Sequence, residues 1–542
     1  MSTAKSADAI RETAVSNDMV NVSIGQLLDR AVERFGDREA YVFERERLTY
    51  AQLSDRVDLY SRALMAQGIV QGDKISIWMA NNLDWVLVYL AVARIGGVLV
   101  PVNTGFKVDE AAYVVGQSDS VMLVVGARVR DRSLATEALQ VLEDERVSAR
   151  TVVVVGGPCP DGATPVDALL SRAVEISDEA LAGRKARVGA DDVVLTLYTS
   201  GTTGFPKGAM HSHKVIQNMS DAADRMRLSP EDKVVLYLPL FHVFGAAAVI
   251  SYMYAGGCIV LVESYDVAHT LELMELERAT VVYGISTMYY DQMQHPDFAR
   301  RDLSSIRLCL TPGTGDLVRM TSERMGPAVN VYGMTETTSI TALTSLEDTM
   351  ERRADTVGRP LPGFEVKIVD PNGASLPPDS VGELVLRGHP VMLGYYKQPE
   401  ATAEVLDHEG WFSTGDAASF TTDGYVRYAG RIKDMFRVGG ENVDPIEVET
   451  VLMRHPAVAM ATVTGIPDVR LDEVGIAHVQ LLNGAVATSK ELREFVRERL
   501  AHYKVPRHVV FVDDFPKTAS GKIQKFVLRK QFLAQQSASG PT

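Results

Sequence analysis

Along the first part of the chain, short apolar runs alternate with stretches in which apolar residues recur every third or fourth position. The first habit is that of a buried strand, the second that of a helix with one face inward. Leu53, Val57, Tyr60 and Leu64 follow Thr49 at helical spacing, and Thr49 has the chemistry of a helix cap. Lys74–Met79 then reads as a strand, Asp84–Ile95 as a helix and Val98–Val100 as a strand. Val121–Val125 and Thr151–Val155 are further strands. Such alternation predicts an α/β domain with mostly parallel sheets. The habit changes late. Asp370-Pro371-Asn372-Gly373 and Thr422-Asp423-Gly424-Tyr425 carry the Asn-Gly and Asp-Gly pairs of tight hairpins. After about Arg431 the chain reads as a small α+β unit, with Leu492, Phe495, Val496, Leu500 and Tyr503 as one helical stripe of its core. Ala534–Thr542 is small and polar and is expected to be disordered. A chain of 542 residues exceeds one hydrophobic core. We therefore expect a large N-terminal domain, residues 1–432, and a small mobile C-terminal α+β lid, residues 433–542.

Composition narrows the partners. The formal net charge is −15 and no basic block is present, which argues against nucleic acid or an anionic membrane surface as the main partner. The most membrane-like stretch, Trp85 to Val102, carries Arg94 near its centre, a placement that costs about 2.5–3.5 kcal/mol on insertion scales. A buried helix followed by a strand is the better reading, so no integral membrane segment is expected. Cys159, Cys258 and Cys309 are too few and too scattered for a disulfide framework or a zinc site. The first twenty residues lack the apolar run of a secretory signal, and a cytoplasmic location is expected.

One segment carries the strongest chemistry: Tyr198-Thr199-Ser200-Gly201-Thr202-Thr203-Gly204-Phe205-Pro206-Lys207-Gly208. It follows the apolar run Val193–Leu197 and so sits at a strand end. Its glycines let backbone amides approach a ligand closely, and its hydroxyls and lysine add donors for phosphate oxygens. It is not a P-loop, which needs Gly-Lys-Ser/Thr in sequence; here Pro206 precedes Lys207 and Gly208 follows it.

Taken whole, the segment resembles the signature of the adenylate-forming superfamily, which includes acyl-CoA synthetases, luciferases and peptide-synthetase adenylation domains. Further matches follow in the family's order. Asn330-Val331-Tyr332-Gly333-Met334-Thr335-Glu336-Thr337 resembles the adenine and magnesium motif, Ser413-Thr414-Gly415-Asp416 the ribose motif, Gly430-Arg431-Ile432-Lys433-Asp434 the ribose contact and hinge, and Pro516–Ile523 the catalytic-lysine motif. The resemblance implies that Thr199 to Gly204 and Lys207 hold ATP phosphates. It places Gly313, Thr314 and Asn330 to Thr335 along the nucleotide, and Asp416 and Arg431 on the ribose. Tyr332 can offer a ring to the purine and Asn330 a hydrogen bond to its amino edge. Thr335 can donate to the α-phosphate, while Glu336, with Thr202, would hold Mg2+ as hard oxygen ligands. Lys522 would offset the repulsion between carboxylate and α-phosphate as they join. Lys433 would be the hinge, and Gly439 and Gly440 would line a tunnel for the pantetheine of coenzyme A.

Leu238-Pro239-Leu240-Phe241-His242-Val243-Phe244-Gly245 resembles the family's pocket motif. His242 would lie beside the carboxylate, where amino-acid-activating relatives carry Asp. With Val243, Phe244, Gly245, Gly284, Ile285, Met288 and Gly313 it forms the expected acyl pocket, and the small residues there suggest room for a bulky or long hydrophobic acid. Thr311–Asp316 and Val282–Thr287 depart from the family pattern, which leaves the acid's identity open. His211 and His213 have no neighbouring Cys or acid set, and no metal site is read there. The implied activity is an acyl-CoA synthetase working on a small-molecule carboxylic acid with ATP and coenzyme A. A carrier-protein ligase, an enzyme of one half-reaction, a luciferase-like oxygenase and an inactive nucleotide-binding protein are the alternatives. A homodimer is allowed for.

Overall fold

A computed structural model describes residues 10–11, 19–199, 206–432, 434–438, 441–468, 470–518 and 521–538. Its chain divides into two compact units. The larger comprises Ile10–Glu365 and Leu386–Phe412; the smaller comprises Met1–Ala9, Val366–Val385 and Ser413–Thr542.

The larger unit is built on two sheets. In the eight-stranded one, Val193–Thr199, Val98–Pro101, Lys74–Trp78, Ser120–Gly126, Thr151–Val155 and Thr164–Pro165 neighbour one another in that order. All five of those pairings are parallel. Lys207–Ser212 joins the other side of Val193–Thr199 antiparallel. The nine-stranded sheet has a parallel centre that runs Ala328–Tyr332, Leu308–Thr311, Val281–Tyr283, Lys233–Leu236, Cys258–Leu261 and Glu39–Phe43. The expected α/β class with mostly parallel sheets is the observed one. Thr49 caps the helix Tyr50–Ala66 by accepting from Gln52 N. The membrane-like stretch folds as helix Leu83–Arg94 and strand Val98–Pro101, almost wholly buried. Arg94 is buried to 1 % exposure and is held by Asp29, Asp58 and Ser54, so its charge is paired rather than stranded. No helix among the described residues is long and apolar enough to cross a membrane.

Phe364–Val369, Gly382–Gly388, Phe412–Phe420 and Val426–Arg431 are neighbours in one sheet, most of whose residues belong to the smaller unit. The second sheet of that unit orders Glu441–Val443, Phe436–Val438, Asp472–Leu481 and Val458–Asp468, with His508–Phe511 parallel to Asp472–Leu481. Both hairpin signals mark turns: Gly373 and Gly424 have φ of 81° and 84°, which glycine adopts without strain. Two expectations need correction. The helix of the Leu492 stripe, Ser489–Arg497, stops before Leu500 and Tyr503, which reach the same core from the following turn. The tail is ordered further than expected, because helix Lys525–Ala538 continues through Ala534. Leu528 anchors that helix at 2 % exposure, and Phe532 and Leu533 pack on Ile466, Val474 and Ile476.

Candidate active site

Four adjacent parallel strands of the nine-stranded sheet end on the same edge, and each runs directly into a motif. Lys233–Leu236 leads into Tyr237–His242, Val281–Tyr283 into Gly284–Thr287, Leu308–Thr311 into Pro312–Thr314, and Ala328–Tyr332 into Gly333–Thr337. Carboxyl ends of parallel strands are where open α/β sheets place ligands, because the loops there diverge while the strands fix their roots.

The Tyr332–Ser339 turn is rigidly seated. A Cβ on Gly333 would lie 1.6 Å from Ser339 O, so only glycine fits. Glu336 is buried to 8 % exposure and accepts from Tyr395 Oη at 3.0 Å, while its backbone oxygen accepts from Met392 N at 2.8 Å. The Lys207 ammonium lies 5.1 Å from the centre of the Tyr395 ring. Tyr395 thus stands between the candidate phosphate lysine and the candidate metal carboxylate, holding one through its hydroxyl and offering its face to the other. Thr338 and Ser339 follow with φ of 56° and 87°, unusual for side-chain-bearing residues. Buried Asn218 steadies them by donating to Thr338 Oγ1 at 2.8 Å and Ile340 O at 2.9 Å.

Asn330 is bound to the neighbouring backbone. Its amide donates to Gly313 O at 3.2 Å, and its side-chain oxygen accepts from Val331 N at 2.9 Å and Gly313 N at 3.4 Å. It therefore ties Gly313 to the strand end. Thr314 caps the helix Gly315–Arg324 by accepting from Leu317 N. Tyr332 is 7 % exposed, while Met334 and Thr335 are half-buried. The phosphate segment is described at its two feet: Thr199 pairs with Lys207 across the antiparallel ladder. Ser200–Phe205, including Ser200, Gly201, Thr202, Thr203 and Gly204, lie outside the described residues, as do Lys433, Gly439 and Gly440.

His242 caps the helix Val243–Ala255, its Nδ1 accepting from Phe244 N at 3.3 Å. A neutral ring with Nδ1 as acceptor carries its proton on Nε2, the arrangement that can donate to a carboxylate. Beyond this cap the helix borders an apolar cleft of about 300 Å3 of atom-free space, counting what is open to solvent. Its walls include Val243, Ala246, Ala247 and Ile250 from that helix, Val215 and Met219 from helix Val215–Arg225, and Leu195 and Leu197 from the sheet. Tyr89, His211 and Thr338 also line it. Burial lowers His211 to about 4, so the ring is neutral at pH 7.

Of the expected acyl-pocket residues, Val243 lines this cleft. The three glycines expected there each have a close neighbour. A Cβ on Gly245 would lie 2.3 Å from Pro239 O, one on Gly313 2.7 Å from Leu317 Cδ2, and one on Gly284 3.0 Å from Tyr237 Oη. Gly315 likewise faces Ala354 O at 2.4 Å. At Gly245 and Gly315 the neighbour is backbone, so there the missing side chain serves close packing of the scaffold. Phe244 stacks on buried Tyr283 at 5.7 Å, and Met288 is 7 % exposed with its carbonyl accepting from Tyr265 Oη at 3.1 Å. Ile285 sits at the start of helix Ser286–Gln294. Leu195, Met219 and Ile250, which also line this cleft, look in the sequence like any core residue.

In the smaller unit, Asp416 is 3 % exposed and faces the Arg431 guanidinium at 3.2 Å, and its backbone N–H donates to Thr414 Oγ1 at 3.0 Å. The two candidate ribose residues are therefore neighbours across one ladder. Lys522 is exposed at the end of a turn closed by Thr518: Lys522 N donates to Thr518 Oγ1 at 3.0 Å, and Gly521 takes φ of 81°.

Residues 28–396 match the model of the AMP-binding enzymes, and residues 447–522 match that of the AMP-binding enzyme C-terminal domain. The chain belongs to the AMP-binding enzyme family. It lies in the acyl-CoA synthetase branch and is an AMP-forming acid–thiol ligase that uses ATP and coenzyme A. The mitochondrial medium-chain acyl-CoA ligase of Mus musculus is 34 % identical over 540 residues, which is 95 % of this chain and 88 % of the relative. A CoA ligase of Rhodococcus jostii (strain RHA1), named for a methyl-dioxo-octahydro-indenyl-propanoyl group, is 35 % identical over 517 residues, 93 % of this chain and 98 % of the relative. Among solved structures, an anthranilate CoA ligase in complex with anthranoyl-AMP aligns with a TM-score of 0.86 at 26 % identity, covering 97 % of this chain and 100 % of that one.

Proposed function

We propose that the acid activated by this ligase is a hydrophobic monocarboxylate, a medium or long fatty acid or a bulky cyclic acid. The observation that carries the reading is the cleft beside the His242 cap. Among the described residues, eight of its walls are aliphatic or thioether side chains or alanines, and no Asp, Glu, Lys or Arg contributes to it. A second charge on the substrate would lose its hydration there without gaining a partner. The names of the mouse and Rhodococcus relatives, one a medium-chain and one a fused-ring propanoyl ligase, accord with such acids.

In the proposed cycle the acid's oxygen attacks the α-phosphorus, and the bond to the β-phosphate oxygen breaks as pyrophosphate leaves. Lys207 takes the charge of the departing pyrophosphate, Thr335 donates to the α-phosphate and His242 Nε2–H orients the carboxylate. Tyr332 packs on the purine; Asp416 and Arg431 hold the ribose. Lys522 sits between carboxylate and α-phosphate during this step alone. Glu336 fits Mg2+ as a buried hard-oxygen donor already oriented by Tyr395, and Thr202 would share the ion. Mg2+ there would supply charge neutralisation for the triphosphate. The thiol sulfur then attacks the acyl carbon, AMP leaves, and the thiol proton passes to solvent or to the departing phosphate. For the second step residues 433–542 would pivot at Lys433 and present Gly439 and Gly440 to pantetheine. Cytoplasmic placement suits such a cycle.

The test is an acid panel scored for AMP release with coenzyme A present. In an aliphatic series each further methylene contributes about 0.8 kcal/mol, roughly fourfold in kcat/KM, until the cleft is full. A preference for acetate or an amino acid over octanoate and larger acids would overturn the reading.

A further inference from the structure

Both described feet of the phosphate segment are gripped by one helix that belongs to none of the motifs. Helix Val108–Gln117 turns Tyr113 and Gln117, four residues apart and hence on one face, toward the hairpin. Tyr113 Oη donates to Pro206 O at 3.2 Å, immediately before Lys207. Tyr198 Oη donates to Gln117 Oε1, immediately before Thr199. The other end of the same amide, Gln117 Nε2, donates to Tyr396 O at 2.8 Å, and Tyr396 N donates to Gly208 O at 2.8 Å. Tyr396 is the neighbour of Tyr395, which touches both Glu336 and Lys207.

This geometry is constrained on every side. Gly208 has no room for a side chain, since its Cβ would lie 3.0 Å from the Tyr198 ring. The helix is seated by Gly116, whose Cβ would lie 2.8 Å from Arg146 O. Tyr396 is clamped in turn: its hydroxyl donates to Asp119 at 2.7 Å, Lys397 pairs with Asp119 at 2.6 Å, and the Lys74 ammonium lies 4.6 Å over its ring. A ladder of two short strands cannot by itself fix where its end residues point, because end pairs fray. Here the hydroxyl and amide contacts set the spacing of the two feet and the direction of Lys207.

We propose that Tyr113 and Gln117 are positioning residues for ATP: they brace Thr199 and Lys207 so that the Lys207 ammonium is already aimed when the triphosphate binds. The proposal rests on the reading of Lys207 as a phosphate ligand. Its signature is a defect confined to ATP. Tyr113→Phe deletes one hydroxyl and should raise the KM for ATP about two- to tenfold, the worth of one net hydrogen bond. Gln117→Ala also strips Tyr198 of its acceptor and should cost about tenfold or more. KM for the acid and the rate of thioester formation from supplied acyl-adenylate should stay within twofold of the parent. The loss from Lys207→Met should shrink in the Gln117→Ala background, since an unaimed lysine has less to lose.

Lys207→Met separates the two ideas. If it raises the KM for ATP while Tyr113→Phe and Gln117→Ala do not, the brace is wrong and the phosphate lysine stands. If it leaves the KM for ATP unchanged, the phosphate role fails and the brace fails with it. Equal losses in both half-reactions would mark Tyr113 and Gln117 as general scaffold and also overturn the proposal. Should Gln117→Ala not fold, the single-atom change in Tyr113→Phe decides alone.

Discussion

A glycine in a pocket motif invites the thought that its missing side chain leaves room for substrate. Gly245 shows how the same residue can mean the reverse: Pro239 O already occupies the place of its Cβ, at 2.3 Å. Gly245→Ala should therefore lower thermal stability by about 1–3 kcal/mol through overpacking against backbone. The chain-length profile for acids should be unchanged. A shortened acid preference with full stability would restore Gly245 to the pocket wall. Lys522 gives the opposite kind of residue, one whose surroundings say little and whose chemistry says much. It is exposed, on a turn fixed by Thr518 and Gly521. If it acts only while the two anions join, Lys522→Ala should abolish acyl-adenylate formation and spare thioester formation from supplied acyl-adenylate. Equal loss in both would assign it another task. Residue chemistry was legible here because a motif constrains identity. Packing was not, because a glycine's letter does not say which neighbour fills its space.

At the scale of elements, the strands and helices of the larger unit were readable where burial is one-sided or complete. Thr151–Val155 is a strand with the predicted ends, and the helix after Thr49 begins where its cap predicted. Ser489–Arg497 was over-extended, since Leu500 and Tyr503 keep helical spacing from outside the helix. The tail was under-read because its small polar letters hide a helix whose anchors, Leu528, Phe532 and Leu533, lie on one side. What no pattern announced was the apolar cleft, which forms where helix Val243–Ala255 faces helix Val215–Arg225 and the strand Val193–Thr199. Val243, Ala246, Ala247 and Ile250 recur at helical spacing, so the helix presents one face to the cleft and its two alanines make that face low. Ala247→Phe should fill the cleft from this side. The preferred acid should shorten by several carbons, with about fourfold in kcat/KM for every methylene no longer buried. KM for ATP should stay put. An unaltered chain-length profile in a folded variant would move the acyl site elsewhere.

For the whole molecule, the two units answer acid differently, because burial acts on histidines and carboxyls with opposite sign. In the larger unit burial lowers His211, His213 and His389 each to about 4, from an ordinary value of 6.5. The unfolded chain binds protons at these rings between pH 6.5 and 4 and the folded one does not. Their contribution to stability is thus complete above pH 6.5 and is lost as pH falls toward 4. Each histidine adds a slope of up to about 1.4 kcal/mol per pH unit within that window. In the smaller unit burial likewise lowers His478 to about 4 and also lowers His508. There, however, burial raises the Asp444 carboxyl to about 6, from an ordinary 3.8. That group is protonated more readily in the folded chain, so its effect is to favour the fold below pH 4 and to withdraw that support as pH rises through 6. The two slopes oppose each other between pH 4 and 6. We expect the larger unit to lose stability steeply from pH 6.5 to 4.5 while the smaller one, its histidine slope partly offset by Asp444, changes less. All three tryptophans, Trp78, Trp85 and Trp411, belong to the larger unit, so their fluorescence during urea unfolding reports it alone. Hydrogen exchange at the amides of Asp472–Leu481, corrected for intrinsic rate, reports the core of the smaller one. The expected result is a falling urea midpoint for the tryptophan signal with a shallower decline of protection in that strand. His211→Gln and His389→Gln should each flatten the tryptophan-detected slope, since glutamine does not titrate. A parallel decline in both units, or a slope untouched by either substitution, would show that carboxylates elsewhere govern the acid limb.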